Sequence, residues 1–289
     1  VFCHEFGHVL GLPDLYDTTY ATNGVGDWSL MGSGSWGGIP NGSRPAPLLA
    51  WERYKAGGTG WIDLALVNPS VFTDEYNKGL RLLLLLLFAF MIMAPVFSLR
   101  MTPYAKGVTA SVSVVVLTAV LSCGSESTSV TRINGTINDI EASHHAYRIG
   151  LNDPYKAQYL FLEGKKASAV GWYVPGTGIL VTHIHEGVVS TYSYSNSVNA
   201  GSSRVHGVNI VEASTVAEPG NLWTVPLYKG DAADLFCQEN NSSLTVSTVP
   251  GSTFYTGSAV TGKTGYSGVV IDNISSNSSF PMTFTALIE

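Results

Sequence analysis

The stretch His4-Glu5-Phe6-Gly7-His8-Val9-Leu10-Gly11-Leu12-Pro13-Asp14 lies close to the start of the chain and decides how the rest is interpreted. Residues four apart share one face of an α-helix, so this spacing predicts a helix that presents His4 and His8 to one metal ion. Glu5 lies about 100° round the helix from His4, where it can reach a metal-bound water. Zinc lowers the pKa of such a water to about 7, and a carboxylate can then take its proton.

Gly11 and Asp14 extend the pattern beyond two histidines. Gly11 follows His8 by about one turn, where helices often end in a left-handed glycine, and a turn there would bring the chain back towards the metal. Asp14 is therefore the candidate third ligand, since carboxylate oxygen binds zinc. The alternative for Asp14 is that Pro13-Asp14 is an ordinary turn pair without metal contact. The separate alternative for His4 and His8 is that they are satisfied surface or core histidines.

The complete string resembles the metzincin pattern with Asp14 in place of the usual third histidine. Metzincins place a methionine in a tight turn beneath the metal, and Met31 stands among small residues in the segment Asp27–Trp36. Its thioether would form an adaptable apolar floor under the histidines. The alternative for Met31 is a plain core position.

Two segments make a family resemblance specific. His4–Asp17 and Trp28–Trp36 resemble the immune inhibitor A family of secreted bacterial metallopeptidases. Later segments are similar to the same family: Ala50–Lys55, Gly60–Ile62, Ala146–Ile149, Gln158–Glu163, Pro175–Leu180, Gly207–Ala213 and Gly268–Ser275.

The resemblance implies site residues, cofactors and partners. His4, His8 and Asp14 would bind zinc, Glu5 would be the general base, and Met31 would form the Met-turn. Proteins or peptides are the expected substrates, and the expected location is outside a bacterium or on its surface. Calcium is a second candidate ion, without assigned ligands.

Two positions depart from the family pattern. The family usually reads Trp-His-Ile-Asp in the strand after Gly178, whereas this chain has Thr182–Glu186, in which His183 and His185 would share one strand face. With Glu186 these residues suggest a second metal site, but ordinary strand positions are favoured because no further ligand is evident. The family also usually has Asn where Gly164 stands.

The predicted fold class is α+β, with a metzincin-like catalytic half followed by a β-rich, antiparallel sheet or sandwich region. Residues 1–70 would be the C-terminal part of the catalytic domain, and residues 71–131 an anomalous apolar insertion. Residues 132–220 would continue the peptidase region with strands, and residues 221–289 would form a β-rich end. Since the chain starts directly on the motif, we expect a fragment that lacks the N-terminal part of its catalytic domain.

The insertion contains two apolar runs, Leu82–Phe97 and Val108–Leu121. The second is followed by Cys123 and resembles a lipoprotein signal peptide in an internal position. Membrane association through residues 80–121 is one interpretation. A buried apolar hairpin and an artefact of sequence joining or translation are the alternatives.

Composition narrows the function classes. Charged residues make up 12% of the 289, the formal net charge is −6, and no basic run is present, so nucleic acid is not an expected partner. Cys3, Cys123 and Cys237 lack zinc-knuckle spacing and allow at most one disulfide.

The sequence thus predicts a zinc endopeptidase. Two competing hypotheses are a non-catalytic, anchored surface module that keeps a zinc site, and a lipoprotein that begins at Met101.

Overall fold

A computed structural model describes residues 1–68, 130–155, 157–214, 220–257 and 263–289. The chain divides into two units, one formed by Val1–Pro69 with Thr131–Glu289 and the other by Ser70–Val130. All elements below belong to the first unit. Residues 80–121 and Cys123, which carry the membrane and lipoprotein hypotheses, lie outside the described residues. Within the described ranges, no helix has the length and apolar character needed to cross a bilayer.

In the part of the chain that the structure describes, the helices are short and are spread along the chain, two before the first strand and three between later strands. They are α1 (Phe2–Val9), α2 (Ala50–Gly57), α3 (Ile140–Ser143), α4 (Glu186–Tyr192) and α5 (Asn221–Thr224), with 3₁₀ turns at Gly26–Trp28, Ser33–Trp36, Gly58–Gly60 and Ala232–Asp234. The strands are β1 (Asp63–Val67), β2 (Thr131–Ile137), β3 (His145–Gly150), β4 (Gln158–Lys165), β5 (Gly178–His185), β6 (Val208–Val211), β7 (Phe254–Tyr255), β8 (Lys263–Gly265), β9 (Val269–Asp272) and β10 (Met282–Ile288).

The strands form a five-stranded sheet of order β1-β3-β4-β5-β6, a three-stranded sheet of order β2-β10-β9 and the hairpin β7-β8. β1 pairs with β3 in parallel, and the other strand pairs of these sheets are antiparallel. The α+β prediction is therefore confirmed. The five-stranded sheet is mixed rather than purely antiparallel. The metzincin likeness of the fold and the four-part division of the chain stay predictions.

Strand β4 is buried along its whole length because both faces of the main sheet are covered. Successive side chains of a strand point to opposite faces. Tyr159 and Phe161 join a core with Leu15, Met31 and Trp51 from the first part of the chain. Leu160 and Leu162 join a second core whose other members include residues of β2, β9 and β10. The five-stranded main sheet thus lies between two layers. One is a helix-and-loop layer that carries the His4–Asp14 motif, and the other is the three-stranded sheet.

Close packing explains why Gly164 in β4 departs from the family pattern. A Cβ atom at this position would lie 2.2 Å from the carbonyl oxygen of Asn138 and 2.8 Å from a ring carbon of Phe280. The close backbone approach leaves no room for an asparagine side chain.

Asp17 fixes the loop that follows the motif. Its side chain is buried, and Oδ1 accepts hydrogen bonds from the backbone and hydroxyl of Thr19 and from the backbone of Gly201. Oδ2 accepts from the backbone of Ala21 and from the backbone and hydroxyl of Thr22. Burial alone would raise the pKa of Asp17, but these donors outweigh it, so the pKa is lowered. The carboxylate thereby ties residues 17–22 to the distant loop at Gly201.

We predict that Asp17→Asn lowers the free energy of unfolding by about 3 kcal/mol, because the amide would confront donors that need an acceptor. A lowered pKa means that the contribution of Asp17 is present above the ordinary aspartate pKa of about 3.9 and is lost as the pH falls through the lowered value. Urea unfolding at pH 7 and at acidic pH measures both effects.

Asp63→Asn is the control, since the Asp63 side chain is 82% exposed. An equal loss of stability in both variants, or an Asp17→Asn penalty that persists unchanged at acidic pH, would contradict this account of Asp17.

Candidate metal centre

Helix α1 ends in a hydrogen-bonded reversal that redirects the chain. The helix stops at Val9, and Gly11 has a φ of 85°. The N–H of Leu12 donates to the carbonyl of Gly7 at 3.1 Å, and the N–H of Gly11 donates to that of His8 at 3.0 Å. This pair of bonds is the Schellman arrangement, which favours glycine at the left-handed position. The chain after Gly11 therefore returns towards the histidine face of α1.

The reversal brings three ligand atoms together. Asp14 Oδ1 lies 3.0 Å from His4 Nε2 and 3.4 Å from His8 Nε2, and all three atoms lie within 4.8 Å of one another. Ligand atoms around a tetrahedral zinc ion, bound at 2.0–2.1 Å, are about 3.3 Å apart. Across the residues that the structure describes, this is the one group of three or more His, Cys, Asp or Glu side chains with such spacing.

Backbone carbonyls set the orientation of both imidazoles. Nδ1 of His4 donates to the carbonyl of Leu30 at 2.8 Å, and Nδ1 of His8 donates to the carbonyl of Leu12 at 2.9 Å. A carbonyl only accepts, so each neutral ring keeps its hydrogen on Nδ1 and turns the lone pair of Nε2 towards Asp14.

The three converging atoms are therefore all acceptors. Asp14 Oδ1 is buried and has no hydrogen-bond donor. Such an arrangement calls for a positive charge between the groups, either a metal ion or a proton. The Asp14 carboxylate accordingly raises the pKa of His4. The three ligand groups and the distances between their ligand atoms fit a divalent metal ion.

Asn196, from the loop after α4, holds Asp14 in place. The backbone N–H of Asp14 donates to Asn196 Oδ1 at 2.6 Å, and Asn196 Nδ2 donates to Asp14 Oδ2. Burial pushes the pKa of Asp14 upwards, but the interaction with His4 in its protonated form, together with Tyr16 and Asn196, lowers it overall. Sequence reasoning missed Asn196, because a lone asparagine 182 residues away gives no signal.

Tyr16 and Glu5 border the cluster. The Tyr16 ring stacks near that of His4, with centroids 6.2 Å apart, and burial together with Asp14 raises the pKa of Tyr16 to about 12. Glu5 is exposed on α1. Its negative charge contributes to the raised pKa values of His4 and Tyr16.

Met31 lies directly under α1. It is fully buried, and a Cβ atom on Gly7 would come within 2.5 Å of its sulfur. Gly7 stands between the two histidines, so the sulfur packs against the backbone of the ligand-bearing helix. The carbonyl of Met31 also accepts a hydrogen bond from the N–H of Leu15 at 2.9 Å, next to Asp14.

A comparison with known protein families identifies a likeness for the part of the chain that carries this cluster. Residues 1–62 match the family model described as immune inhibitor A peptidase M6, catalytic domain. This part of the chain is similar to the immune inhibitor A peptidases. The predicted resemblance is therefore confirmed for the segment that holds His4, Glu5, His8, Asp14 and Met31.

Relatives of the immune inhibitor A-like segment are much longer than the match. The chain is 49% identical over 68 residues to the pre-pro-metalloprotease PrtV of Vibrio cholerae serotype O1 (strain M66-2), which is 22% of this chain and 7% of that protein. It is 36% identical over 87 residues to immune inhibitor A of Bacillus thuringiensis subsp. alesti, which is 28% of this chain and 12% of that protein. No solved structure gives a significant match.

The suggested second metal site lies outside the immune inhibitor A-like segment, and its members have packing roles. The His183 ring stacks on that of Tyr255, with centroids 5.2 Å apart. His185 Nδ1 accepts from the N–H of Val188 and so caps α4, while Glu186 accepts from a tyrosine hydroxyl. Cys3 and Cys237 are free thiols. These findings agree with ordinary strand positions for the two histidines.

If the His4–His8–Asp14 cluster binds a metal ion, we predict that Asn196→Ala weakens the binding of zinc as a probe ion about 10- to 100-fold, as is usual for groups that orient a ligand. Loss of both hydrogen bonds would free Asp14 to rotate away from the histidines. Competition with a chromophoric chelator measures the dissociation constant. Asn152→Ala, at an exposed position, is the control, and equal affinity of the two variants would show that Asn196 does not hold Asp14.

Proposed function

We propose that this chain carries the catalytic centre of a zinc metallopeptidase that hydrolyses internal peptide bonds of proteins. The observation that carries the proposal is the convergence of His4 Nε2, His8 Nε2 and Asp14 Oδ1 on one point. Two imidazoles and a carboxylate suit zinc and leave a coordination position for water or substrate. The similarity of residues 1–62 to a peptidase catalytic domain supports the same reaction.

Each residue has a distinct part in the proposed mechanism. A zinc ion held by the three ligands would polarise the scissile carbonyl and lower the pKa of water. Glu5, exposed beside the cluster, accepts the proton of the attacking water and delivers it to the leaving amine. The carbonyls of Leu30 and Leu12 keep both histidines in the tautomer that binds metal. Met31 supports the helix from below.

A pocket next to Leu30 is a candidate place for a substrate side chain. Its volume is about 690 Å³, and its lining includes Leu30, whose carbonyl holds His4. Trp61 and Trp172 also line it and are each 44% exposed. Half-exposed indoles beside a cavity suit contact with an apolar or aromatic group of a peptide.

The family resemblance also suggests where the protein acts and which further ion it binds. We propose that the protein acts outside a bacterial cell or on its surface, on protein or peptide substrates. Calcium is a further proposed ion without assigned ligands. Membrane association through residues 80–121 stays a prediction.

Hydrolysis of casein tests the proposal. We expect activity that a chelator abolishes and that added zinc restores. Glu5→Gln should lower kcat at least about 100-fold while zinc still binds, because proton transfer by a positioned acid or base contributes 10²- to 10⁴-fold. Glu239→Gln, at an exposed carboxylate distant in sequence from the motif, should leave the activity unchanged.

Equal activity with chelator, without it and in Glu5→Gln would refute the proposal. Stoichiometric zinc binding without any hydrolysis would instead support the non-catalytic zinc-holding module.

A further inference from the structure

We propose that Ser29 and Glu52 are positioning residues for the metal centre, which hold the turn Ser29–Met31 so that it orients His4 and the segment of Asp14. Neither residue contacts the ligand atoms. The inference rests on the proposed metal site and adds a support that begins on helix α2, outside the motif.

A buried hydrogen-bond relay connects α2 to the turn. The Ser29 hydroxyl lies 2.7 and 2.8 Å from the two carboxyl oxygens of Glu52 and donates to them. The same hydroxyl oxygen accepts from the N–H of Met31 at 2.8 Å. Ser29 and Glu52 are both fully buried, so water cannot substitute for either partner.

The turn held by this relay contacts both ligand-bearing segments. The carbonyl of Leu30, between the two anchored positions, accepts from Nδ1 of His4. The carbonyl of Met31 accepts from the N–H of Leu15, the residue after Asp14, and its sulfur packs against Gly7. A rotation of the 29–31 backbone would therefore disturb the tautomer of His4 and the approach of Asp14 together.

Glu52 also has a local role, which the test must separate from positioning. Its Oε2 atom accepts from the N–H of Leu49 at 2.6 Å and so caps α2. Burial raises the pKa of Glu52 to about 7, although the hydrogen bonds from Ser29 and Leu49 act to lower it. A glutamine keeps an acceptor at the Oε2 position for both Ser29 and Leu49, whereas a leucine keeps only the volume.

The experiment compares zinc affinity and the visible spectrum of the cobalt-substituted protein in four variants of the full chain. We expect Ser29→Ala and Glu52→Leu each to weaken zinc binding about tenfold, within the range for groups that orient metal ligands. Both should also shift the cobalt absorption bands, because the geometry around His4 changes. Glu52→Gln should restore the affinity and the spectrum of the unchanged protein.

Ser35→Ala is the matched control. Ser35 is a buried serine of the same loop, and its hydroxyl donates to the carbonyl of Gly32 rather than to the relay. This variant should bind zinc and cobalt as the unchanged protein does. The thermal midpoint of each metal-free variant is measured alongside, and if Glu52→Leu does not fold, the smaller change Ser29→Ala decides.

A purely structural role would lower the thermal midpoints of Ser29→Ala and Glu52→Leu without changing zinc affinity or the cobalt spectrum, and that result would overturn the inference alone. Absence of zinc binding by the unchanged protein would overturn the metal site and this inference together. Weakened binding in Ser35→Ala equal to that in Ser29→Ala would also refute it.

Discussion

The described structure is organised around an electrostatic constraint: two imidazole lone pairs and a carboxylate oxygen point at the same small volume. Acceptors that converge in a buried place repel one another unless a cation lies between them. His4, His8 and Asp14 are nevertheless held there by carbonyl and amide groups that leave each side chain little freedom. The surrounding hydrogen bonds therefore stabilise an arrangement that is favourable only with a positive charge present, which a metal ion or a proton would supply.

Three separate parts of the chain supply this restraint. The Schellman turn at Gly11 reverses the backbone. The turn at residues 29–31 accepts hydrogen bonds from His4 and from Leu15, the residue after Asp14, and Asn196 is hydrogen-bonded to Asp14. The first two parts belong to the helix-and-loop layer, whereas Asn196 arrives from beyond β5 and α4. The centre thus needs the strands of the second half of the chain to bring Asn196 and Gly201 against the motif loop.

The candidate site was the part most readily predicted from the sequence, because its geometry is local. Helical spacing places His4 and His8 on one face, and a glycine after the helix favours the reversal that returns Asp14. The strand content was predicted in the same way from short apolar runs. Pairing was not, because β1 joins β3 in parallel across a gap of many residues, and no local pattern encodes such a partner. The departure at Gly164 likewise has a tertiary cause, because the carbonyl of Asn138 lies against this position.

The sequence by itself determined which side chains share one helix face, which carboxyl group follows the helix end, and which family the first 62 residues resemble. These properties depend on residue type and on spacing within two or three helical turns. Tertiary structure alone decided what holds those residues: the carbonyl of Leu30 on His4, the amide of Asn196 on Asp14, and the buried pair Ser29–Glu52 beneath the turn. Each of these contacts joins residues at least 23 positions apart in sequence, so the contacts exist only in the folded chain.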